Sequence, residues 1–492
     1  MKLKVKILNI ATKGPLIAIL NKADAMQLDL VELDRIRIKK NSKERVVVID
    51  LAYGKKTIEV GEIGLFLDVA EELNLKNKDI IEVKPEPKPF SLALIKKKLD
   101  GKELSREEIN SIVKDLMENE LTEIETTYFI SGCYIHGMTL KESAYLTEAI
   151  VKSGSRLKFD GNRVVDKHSI GGIPGNRTTP IIVSIVAAAG LIMPKTSTRS
   201  ITSPAGTSDA MEVLAPVSHS KEKILEIVKK TNACMVWGGT MDLAAADDKL
   251  IKFEKVLNLD PEGIMLASIL AKKSAVDSNK VLIDIPCGKE AKIEDKKRAK
   301  NLAKKFVILG KKIGIQIKVI ITDGSKPIGK GVGPALEARD VLLVLQNRGP
   351  EDLKSKSVYM AGLILAMAGF KNPIKKSLEI LENGRAYKKL QEIIKAQGGN
   401  PKIQPEEIKL GKYTYEVKAL KSGKIISISN NLVSRIAKEA GAPTDKGSGI
   451  YLNKSIKEKV EKGEVLFTIY AENKEKLDYV KKEVLEEVYK VN

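Results

Sequence analysis

Several features that often reveal a protein's class are scarce or missing in this chain. Phe, Trp and Tyr make up 4% of the residues, so interleaved aromatic platforms for stacking nucleic-acid bases are not expected. No run of about 18 apolar residues is present, which argues against a membrane helix; the most apolar stretch, 178–193, is interrupted by Pro180, Ser184 and Gly190. The amino-terminal residues alternate as in a strand and do not resemble a signal peptide.

Cysteine is equally scarce. Cys133, Cys234 and Cys287 lie far apart and form no CxxC pair, which excludes a disulfide scaffold and a zinc ribbon and fits a reducing compartment. We therefore expect a cytoplasmic protein without a membrane association.

Positive charge is abundant, because 84 basic and 64 acidic residues give a net charge of +20. Such a charge suits an anionic partner, either nucleic acid or a small phosphorylated substrate. It also suits the Lys/Glu-rich surface found in thermophilic proteins. The lysines are spread along the whole chain instead of forming one stripe, which favours the second interpretation and argues against nucleic-acid binding.

At 492 residues the chain is too long for one hydrophobic core. Residues 1–84 contain alternating apolar and charged residues, including 57–60, and predict an all-β, barrel-like domain. Prolines 85, 87 and 89 then predict a stiff extended linker. Residues 90–158 predict a small helical domain, because Ser105 with Glu108, Thr122 with Glu125, and Thr139 with Glu142 each form a capping-box pattern.

The remainder of the chain alternates strand and helix patterns. This alternation predicts a large α/β domain over 160–398. A Gly-Gly-Asn-Pro break at 398–401 precedes a mixed α+β domain over 406–492. The predicted fold class is thus multidomain α/β.

The segment 164–176, VVDKHSIGGIPGN, carries the most chemical information. A strand ends near Lys167 and Ser169, and Gly171 and Gly172 follow before a helix. Consecutive glycines let a backbone approach a ligand, and a helix start offers free N–H groups, so this arrangement suits an anion. It matches neither GxGxxG nor GxxxxGK[ST], which argues against a dinucleotide or ATP loop.

A second polar loop follows the next strand. Residues 196–203 are rich in hydroxyls and include Arg199, and Thr207 and Ser208 open another helix. Each of these residues alone would fit an ordinary turn or N-cap. Two such loops after consecutive strands favour anion binding.

The motif DKHSIGG closely resembles the phosphate-binding signature of thymidine and pyrimidine-nucleoside phosphorylases. The resemblance continues through LAAADDKL (243–250), SILAKK (268–273) and GVGPALE (331–337), and covers about 90–492. The preceding β domain and the segment RSITSPAGT (199–207) are similar to the archaeal branch of this family that acts on AMP. At 252–255, where thymidine phosphorylases carry an arginine, the sequence reads KFEK.

This resemblance implies roles for particular residues. Lys167 and Ser169 correspond to phosphate ligands, Asp260 to the proton donor, and Lys272 to a residue that contacts the base. The positions that correspond to nucleotide ligands are Gly172, Thr198, Arg199, Ser200, Ile201, Thr202, Ser203, Thr207, Ser268 and Lys292.

The implied reaction is phosphorolysis of AMP, or of a related nucleoside monophosphate, to the free base and ribose 1,5-bisphosphate. Inorganic phosphate is then a co-substrate, and neither a cofactor nor a metal is implied. The resemblance further implies that residues of about 240–275 join the helical domain, that this domain and the α/β domain face each other across a cleft, and that the protein is a homodimer or a larger homo-oligomer.

Asp260 also makes chemical sense as an acid. Phosphate attacks C1′ while negative charge builds on the departing base, so an acid that protonates the base assists its departure. The alternative is a helix N-cap in front of Pro261 and Glu262.

Other residues are open to two interpretations as well. His168 fits a turn residue, or a residue that supports the ligand-binding side chains, better than a base. Asp247–Asp248 fits an exposed pair at a helix end better than a Mg²⁺ site. The rival functions are a thymidine or pyrimidine-nucleoside phosphorylase and an anthranilate phosphoribosyltransferase-like enzyme that needs Mg²⁺.

Overall fold

A computed structural model describes residues 1–492 except 13–15, 54–56, 160–162, 201–202, 241–242, 258 and 483–484. The chain divides into two compact units, one formed by Met1–Gly154 with Ala244–Ser268, the other by Ser155–Leu243 with Ile269–Asn492. Among the described residues, no helix is both long and apolar enough to cross a membrane.

The first unit begins with a closed six-stranded barrel in the strand order β1-β5-β2-β4-β3-β6. Its elements are β1 Lys2–Leu8, β2 Ile17–Asn21, α1 Lys22–Gln27, β3 Arg35–Lys40, β4 Lys43–Ala52, β5 Glu62–Phe66, α2 Leu67–Leu73 and β6 Ile80–Glu86. Alternate strand residues such as Leu3, Ile36 and Ile63 fill the barrel core. The barrel-like prediction is confirmed, but the all-β one is wrong, because two short helices connect strands and residues 57–60 form turns.

The segment predicted as a proline linker is partly strand. β6 runs to Glu86, and Pro85 pairs with Ile36 at the antiparallel β3–β6 contact. The buried Arg35 side chain reaches beyond the barrel, where its guanidinium donates to the Glu120 carbonyl at 3.0 Å and to Glu125 at 2.5 Å. Polar contacts therefore join the barrel to the helices that follow.

The helices of the first unit are α3 Ser91–Leu99, α4 Arg106–Met117, α5 Glu123–His136, α6 Leu140–Ser153, α10 Ala245–Leu257 and the start of α11 Glu262–Ala275. All three predicted capping boxes are present, which confirms the starts of α4, α5 and α6. The distant helix α10 packs on α4 and α5, where the Lys249 ammonium donates to the carbonyls of Leu116 and Met117.

Parallel strands organise the second unit. Its central elements are β7 Val165–Ser169, α7 Thr178–Ala188, β8 Met193–Ser197, α8 Thr207–Met211, α9 Lys221–Thr231, β9 Ala233–Trp237, β10 Lys280–Cys287, α12 Lys296–Lys312 and β11 Gln316–Asp323. Strands β11, β10 and β7 form one parallel sheet and β8 and β9 another, and a bridge between Val164 and Ile192 joins them. Parallel strands place their carboxyl ends on one edge, where ligands bind in open α/β sheets.

Helices cover this sheet. The apolar helix α7 is buried along most of its length and packs on α13 Pro334–Leu345, α14 Glu351–Met367, α15 Pro373–Glu382 and α16 Arg385–Ala396. Their shared core includes Ile181, Ile185, Leu342 and Leu390. This core holds the loop after β7 and the start of α7 in place.

The last part of the second unit is a mixed α+β structure. Its elements are β12 Gly331–Val332, β13 Tyr413–Lys418, β14 Gly423–Ile428, α17 Asn430–Glu439, β15 Gly449–Leu452, β16 Lys459–Val460, β17 Val465–Ala471, α18 Lys474–Val480 and β18 Tyr489–Val491. The glycine-rich GKGVG segment supplies β12, which pairs with β15 before Pro334 starts α13. That segment is structural.

Candidate active site

The carboxyl end of β7 presents a buried ammonium group. The Lys167 side chain is 2% exposed, and its Nζ donates to the hydroxyls of Thr178 and Thr179 at 3.0 and 3.3 Å. These threonines begin α7, so the ammonium lies at the amino end of a helix. Burial lowers the pKa of Lys167 to about 7, and the nearby Asp284 carboxylate opposes this shift. An incoming anion would stabilise the charged form of this lysine.

Ser169, two residues further, lies beside a buried carboxylate. Its hydroxyl donates to Asp284 Oδ2 at 3.1 Å, and Asn176 Nδ2 approaches the same hydroxyl at 3.4 Å. Asp284 also accepts from Thr322 Oγ1 at 2.6 Å, and it forms an ion pair with Lys356, whose Nζ lies 3.1 Å away. The predicted phosphate residues Lys167 and Ser169 are thus brought together at one edge of the sheet.

The glycine loop connects this edge to Lys292. Gly172 has a φ of +89°, and a Cβ at this position would lie 3.3 Å from the Lys292 backbone nitrogen. Glycine is therefore needed both for the left-handed conformation and for the close backbone contact. Two residues predicted to bind the nucleotide, Gly172 and the exposed Lys292, are neighbours.

The second polar loop is folded around Asp209. The Asp209 carboxylate accepts the backbone N–H groups of Ser200 and Gly206, both at 2.7 Å. Ser200 Oγ donates to the Ser203 carbonyl, and Ser203 Oγ donates to the Ala205 carbonyl at 3.0 Å. Thr198, Ser200 and Ser203 thus belong to one compact loop after β8, whereas Ile201 and Thr202 fall outside the described residues.

Thr207, at the start of α8, is tied to the first loop by Arg177. The Arg177 guanidinium donates to Thr207 Oγ1 at 2.9 Å and to the Ala205 carbonyl at 2.7 Å, and its Nε lies 2.6 Å from the buried Glu337. Because Arg177 immediately precedes α7, it fixes the two polar loops relative to each other.

Arg199 does not offer the free guanidinium that its sequence position suggested. Its two terminal nitrogens each lie 2.7 Å from Glu212, and the group also approaches Asp209 at 3.5 Å and the Trp237 ring at 5.1 Å. The hydrogen bond from Arg199 lowers the pKa of Glu212 to about 2. The guanidinium therefore braces α8, and a substrate phosphate would have to compete with Glu212 for it.

A buried ion cluster lies beneath the first loop. Asp166 is fully buried, 2.6 Å from Lys273 Nζ and 3.4 Å from Lys195 Nζ. Burial, followed by the charges of Lys273 and Lys195, lowers the pKa of His168 well below its ordinary value. His168 is therefore neutral at pH 7. The prediction that it lies in a turn is wrong, because His168 belongs to strand β7 and pairs with Ile283 of β10.

The remaining predicted residues lie on or next to α11. Asp260 is half-buried and precedes the helix by two residues, while Ser268 and Lys272 are half-buried on the helix itself. Because α11 begins at Glu262, the residue directly before it is Pro261, which has no side-chain acceptor for capping. The prediction of an exposed Asp247–Asp248 pair at a helix end is correct for the position, which is the first turn of α10, and for the exposure of Asp248. It is wrong for Asp247, which is buried.

Three comparisons with known proteins bear on this arrangement. Residues 92–154 match the helical bundle domain of a glycosyl transferase family, residues 161–387 its a/b domain, and residues 424–490 a pyrimidine nucleoside phosphorylase C-terminal domain. An anthranilate phosphoribosyltransferase from Thermus thermophilus aligns with a TM-score of 0.53 and 16% identity, over 62% of this chain and 98% of that one. At that identity the likeness concerns the fold alone. The domain matches define a glycosyl transferase.

Relatives along the whole chain narrow this class. AMP phosphorylases from Thermococcus sibiricus and Pyrococcus furiosus are 44% and 45% identical to it, over 97% of this chain and 95% of each relative. One from Methanocaldococcus jannaschii is 43% identical over 96% of this chain and 94% of the relative. The chain belongs to the AMP phosphorylase family.

Proposed function

We propose that the protein cleaves AMP with inorganic phosphate, giving adenine and ribose 1,5-bisphosphate. The observation that carries the proposal is the pairing of two polar loops at the ends of the adjacent strands β7 and β8. The first loop lies beside the buried Lys167 ammonium, and the second carries the hydroxyl side chains of Thr198, Ser200 and Ser203. A nucleotide and a phosphate co-substrate bring two anionic groups, which suits two such loops. The similarity to AMP phosphorylases along the chain supports the same substrate.

The proposed chemistry assigns one role to each group. Lys167 and Ser169 bind the attacking phosphate, one of whose oxygens forms the new bond to C1′ as the bond from C1′ to the base breaks. Asp260 gives its proton to the departing base, and the electron pair of the broken bond stays on that base. Gly172, Thr198, Ser200, Ser203, Thr207, Ser268 and Lys292 bind the nucleotide.

The wider setting is part of the same proposal. The reaction as written needs neither a metal nor a cofactor, because phosphate is the nucleophile and a carboxylic acid supplies the proton. We propose that the enzyme acts in the cytoplasm as a homodimer or a larger homo-oligomer.

The substrate assignment is tested by incubating the protein with AMP, CMP, UMP, adenosine and thymidine, each with and without phosphate. We expect base release from AMP that depends on phosphate and gives a product with two phosphate groups. Faster phosphorolysis of thymidine than of AMP would instead identify a pyrimidine-nucleoside phosphorylase.

Phosphate affinity should depend on the protonation of Lys167. The pKa of this lysine is about 7 in the free protein, and only the charged form attracts phosphate. As pH rises above 7, binding must recharge the lysine, so the phosphate KM should rise by up to about tenfold per pH unit. Lys167→Met should remove the part of this pH dependence that comes from the lysine. Dividing the phosphate KM of the unmodified protein by that of the variant at each pH cancels the ionisation of phosphate itself. A ratio that is constant from pH 6 to 9 would contradict the assignment.

The conformational stability of the protein should rise with pH over a range in which its phosphate affinity falls. The folded-state pKa of Lys167 lies below the unfolded value, so the unfolded chain binds more protons between pH 7 and about 10. This lysine therefore contributes a rise in stability with pH over that window. Comparing thermal melting of the unmodified protein with Lys167→Met across pH separates this contribution from the binding effect.

The role of Arg199 can be decided by two variants. If Arg199 contacts the 5′-phosphate, Arg199→Ala should raise the AMP KM by the equivalent of about 1.5–3 kcal/mol and leave the weaker activity on adenosine unchanged. If it only braces α8 through Glu212, Glu212→Gln should reproduce the defect, and both substrates should suffer alike. Steady-state kinetics on AMP and adenosine distinguishes these outcomes.

A further inference from the structure

Asp284, in the interior of β10 and paired with Ser169 at the end of β7, is a fully buried carboxylate next to the proposed phosphate residues. Its Oδ1 accepts from Thr322 Oγ1 at 2.6 Å, and its Oδ2 accepts from Ser169 Oγ at 3.1 Å. Lys356 Nζ lies 3.1 Å from the same Oδ2. A carboxylate beneath an anion site would repel phosphate unless a cation compensates for it.

Lys356 is placed to do more than compensate. It comes from α14, and its side chain is 12% exposed whereas that of Asp284 is 0% exposed. Lys356 Nζ and Ser169 Oγ both contact the same oxygen, Asp284 Oδ2, so the two donor atoms belong to one cluster. The charge of Lys356 also acts on the buried Lys167 ammonium. Lys356, Ser169 and Lys167 therefore surround one small region at the sheet edge.

The donors of Lys356 are only partly used. A lysine ammonium has three N–H groups, and its contacts with the described residues are Asp284 and the Thr322 hydroxyl, the latter at 3.2 Å. Ser169 has a single hydroxyl proton, which is donated to Asp284 here. If that proton turns to a phosphate oxygen, Lys356 can keep its ion pair with Asp284 and direct an N–H group at the same phosphate.

We propose that Lys356 is a phosphate-binding residue, and that Asp284 is the positioning residue that holds Lys356, Ser169 and Thr322 in place. The inference rests on the proposed phosphorolysis, and it adds a third cationic or hydroxyl ligand from a helix distant in sequence. A buried pair that served stability alone would gain little over apolar side chains, because desolvation offsets most of its attraction.

The test uses three variants of the full chain: Lys356→Met, Asp284→Asn and the double variant. Lys356→Met should raise the phosphate KM roughly 10- to 100-fold, the effect of losing a hydrogen bond to a charged group. The AMP KM should change less than about twofold. Lys354→Met is the matched control, because Lys354 lies on the same helix and contacts Glu382 at 3.8 Å instead; its phosphate KM should equal that of the unmodified protein.

The double variant separates binding from structure. Lys356→Met alone leaves Asp284 buried without its cation and should lower the melting temperature, whereas Asp284→Asn in addition restores neutrality. We expect the double variant to recover thermal stability and to keep the raised phosphate KM. If the double variant recovers both its thermal stability and the phosphate KM of the unmodified protein, Lys356 only neutralises Asp284. If Lys356→Met raises the KM values for phosphate and AMP equally, the proposal is also wrong.

Calorimetric titration with inorganic phosphate keeps this inference distinct from the proposed function. One outcome is that the unmodified protein binds phosphate, that Lys356→Met weakens this binding, and that AMP is not cleaved. In that case the proposed function is wrong and the Lys356 assignment stands. If AMP is cleaved and both proteins bind phosphate equally, the Lys356 assignment fails alone. If the unmodified protein does not bind phosphate at all, both are wrong.

Discussion

Asp260→Asn should lower kcat on AMP by roughly 10²- to 10⁴-fold while changing the AMP KM little. Asparagine keeps the size and polarity of the side chain but cannot release a proton, so the base must depart with its negative charge uncompensated. Steady-state and single-turnover kinetics with saturating phosphate measure the effect. An Asn variant with nearly full turnover would exclude the acid role.

A substrate with a better leaving base sharpens this test. The base of an N7-methylated purine nucleotide departs without being protonated, so the loss caused by Asp260→Asn should shrink on that substrate. Asp295→Asn is a suitable control, because Asp295 is an N-cap that accepts the Arg298 backbone N–H at 2.6 Å, and Asn caps helices about as well as Asp. An equal loss on both nucleotides would point to misplacement of the substrate instead of a missing proton.

Gly172→Val should reduce the binding of both phosphate and AMP by at least about 100-fold. A β-branched residue is strained at a φ of +89° by roughly 1–3 kcal/mol. In addition, its Cβ would lie 3.3 Å from the Lys292 backbone nitrogen, so the glycine loop and the Lys292 backbone must shift apart by a few tenths of an ångström. Calorimetry with each ligand measures the loss.

Gly369→Val is the matched control for backbone strain. Gly369 has a φ of +87°, and a Cβ there would meet no atom within 4 Å. Both variants should melt at lower temperature than the unmodified protein, but only Gly172→Val should lose ligand binding. Unchanged affinity in Gly172→Val would remove the loop from the site.

Local patterns were sufficient to predict much of this structure. The capping boxes at Ser105, Thr122 and Thr139 depend on residues three positions apart, and each predicted the start of a helix correctly. The placement of Lys167 and Ser169 at a strand end followed from the motif around them. These features could be predicted because the interactions that create them are short in sequence.

Charge pairing could not be predicted in the same way. Asp284 and Lys356 lie 115 and 187 residues after Ser169, and only the parallel pairing of β7 with β10 and the packing of α14 bring them to the site. The sequence around Arg199 predicts a substrate cation, whereas in the structure its guanidinium is paired with Asp209 and Glu212. Both carboxylates stand within the next thirteen residues, so this pairing is local in sequence.

Asp209 has a further consequence for how tightly a ligand can bind. The described part of the loop after β8 takes its shape from hydrogen bonds within the protein. The backbone N–H groups of Ser200 and Gly206 donate to the Asp209 carboxylate, and Arg177 donates to the Ala205 carbonyl. A loop that is ordered beforehand loses little conformational entropy on binding, and each side chain immobilised at that moment would cost about 0.5–1.5 kcal/mol. In Asp209→Ala the loop should therefore be less ordered before AMP binds and should become ordered only on binding. Calorimetry should then show a less favourable binding entropy for AMP than in the unmodified protein.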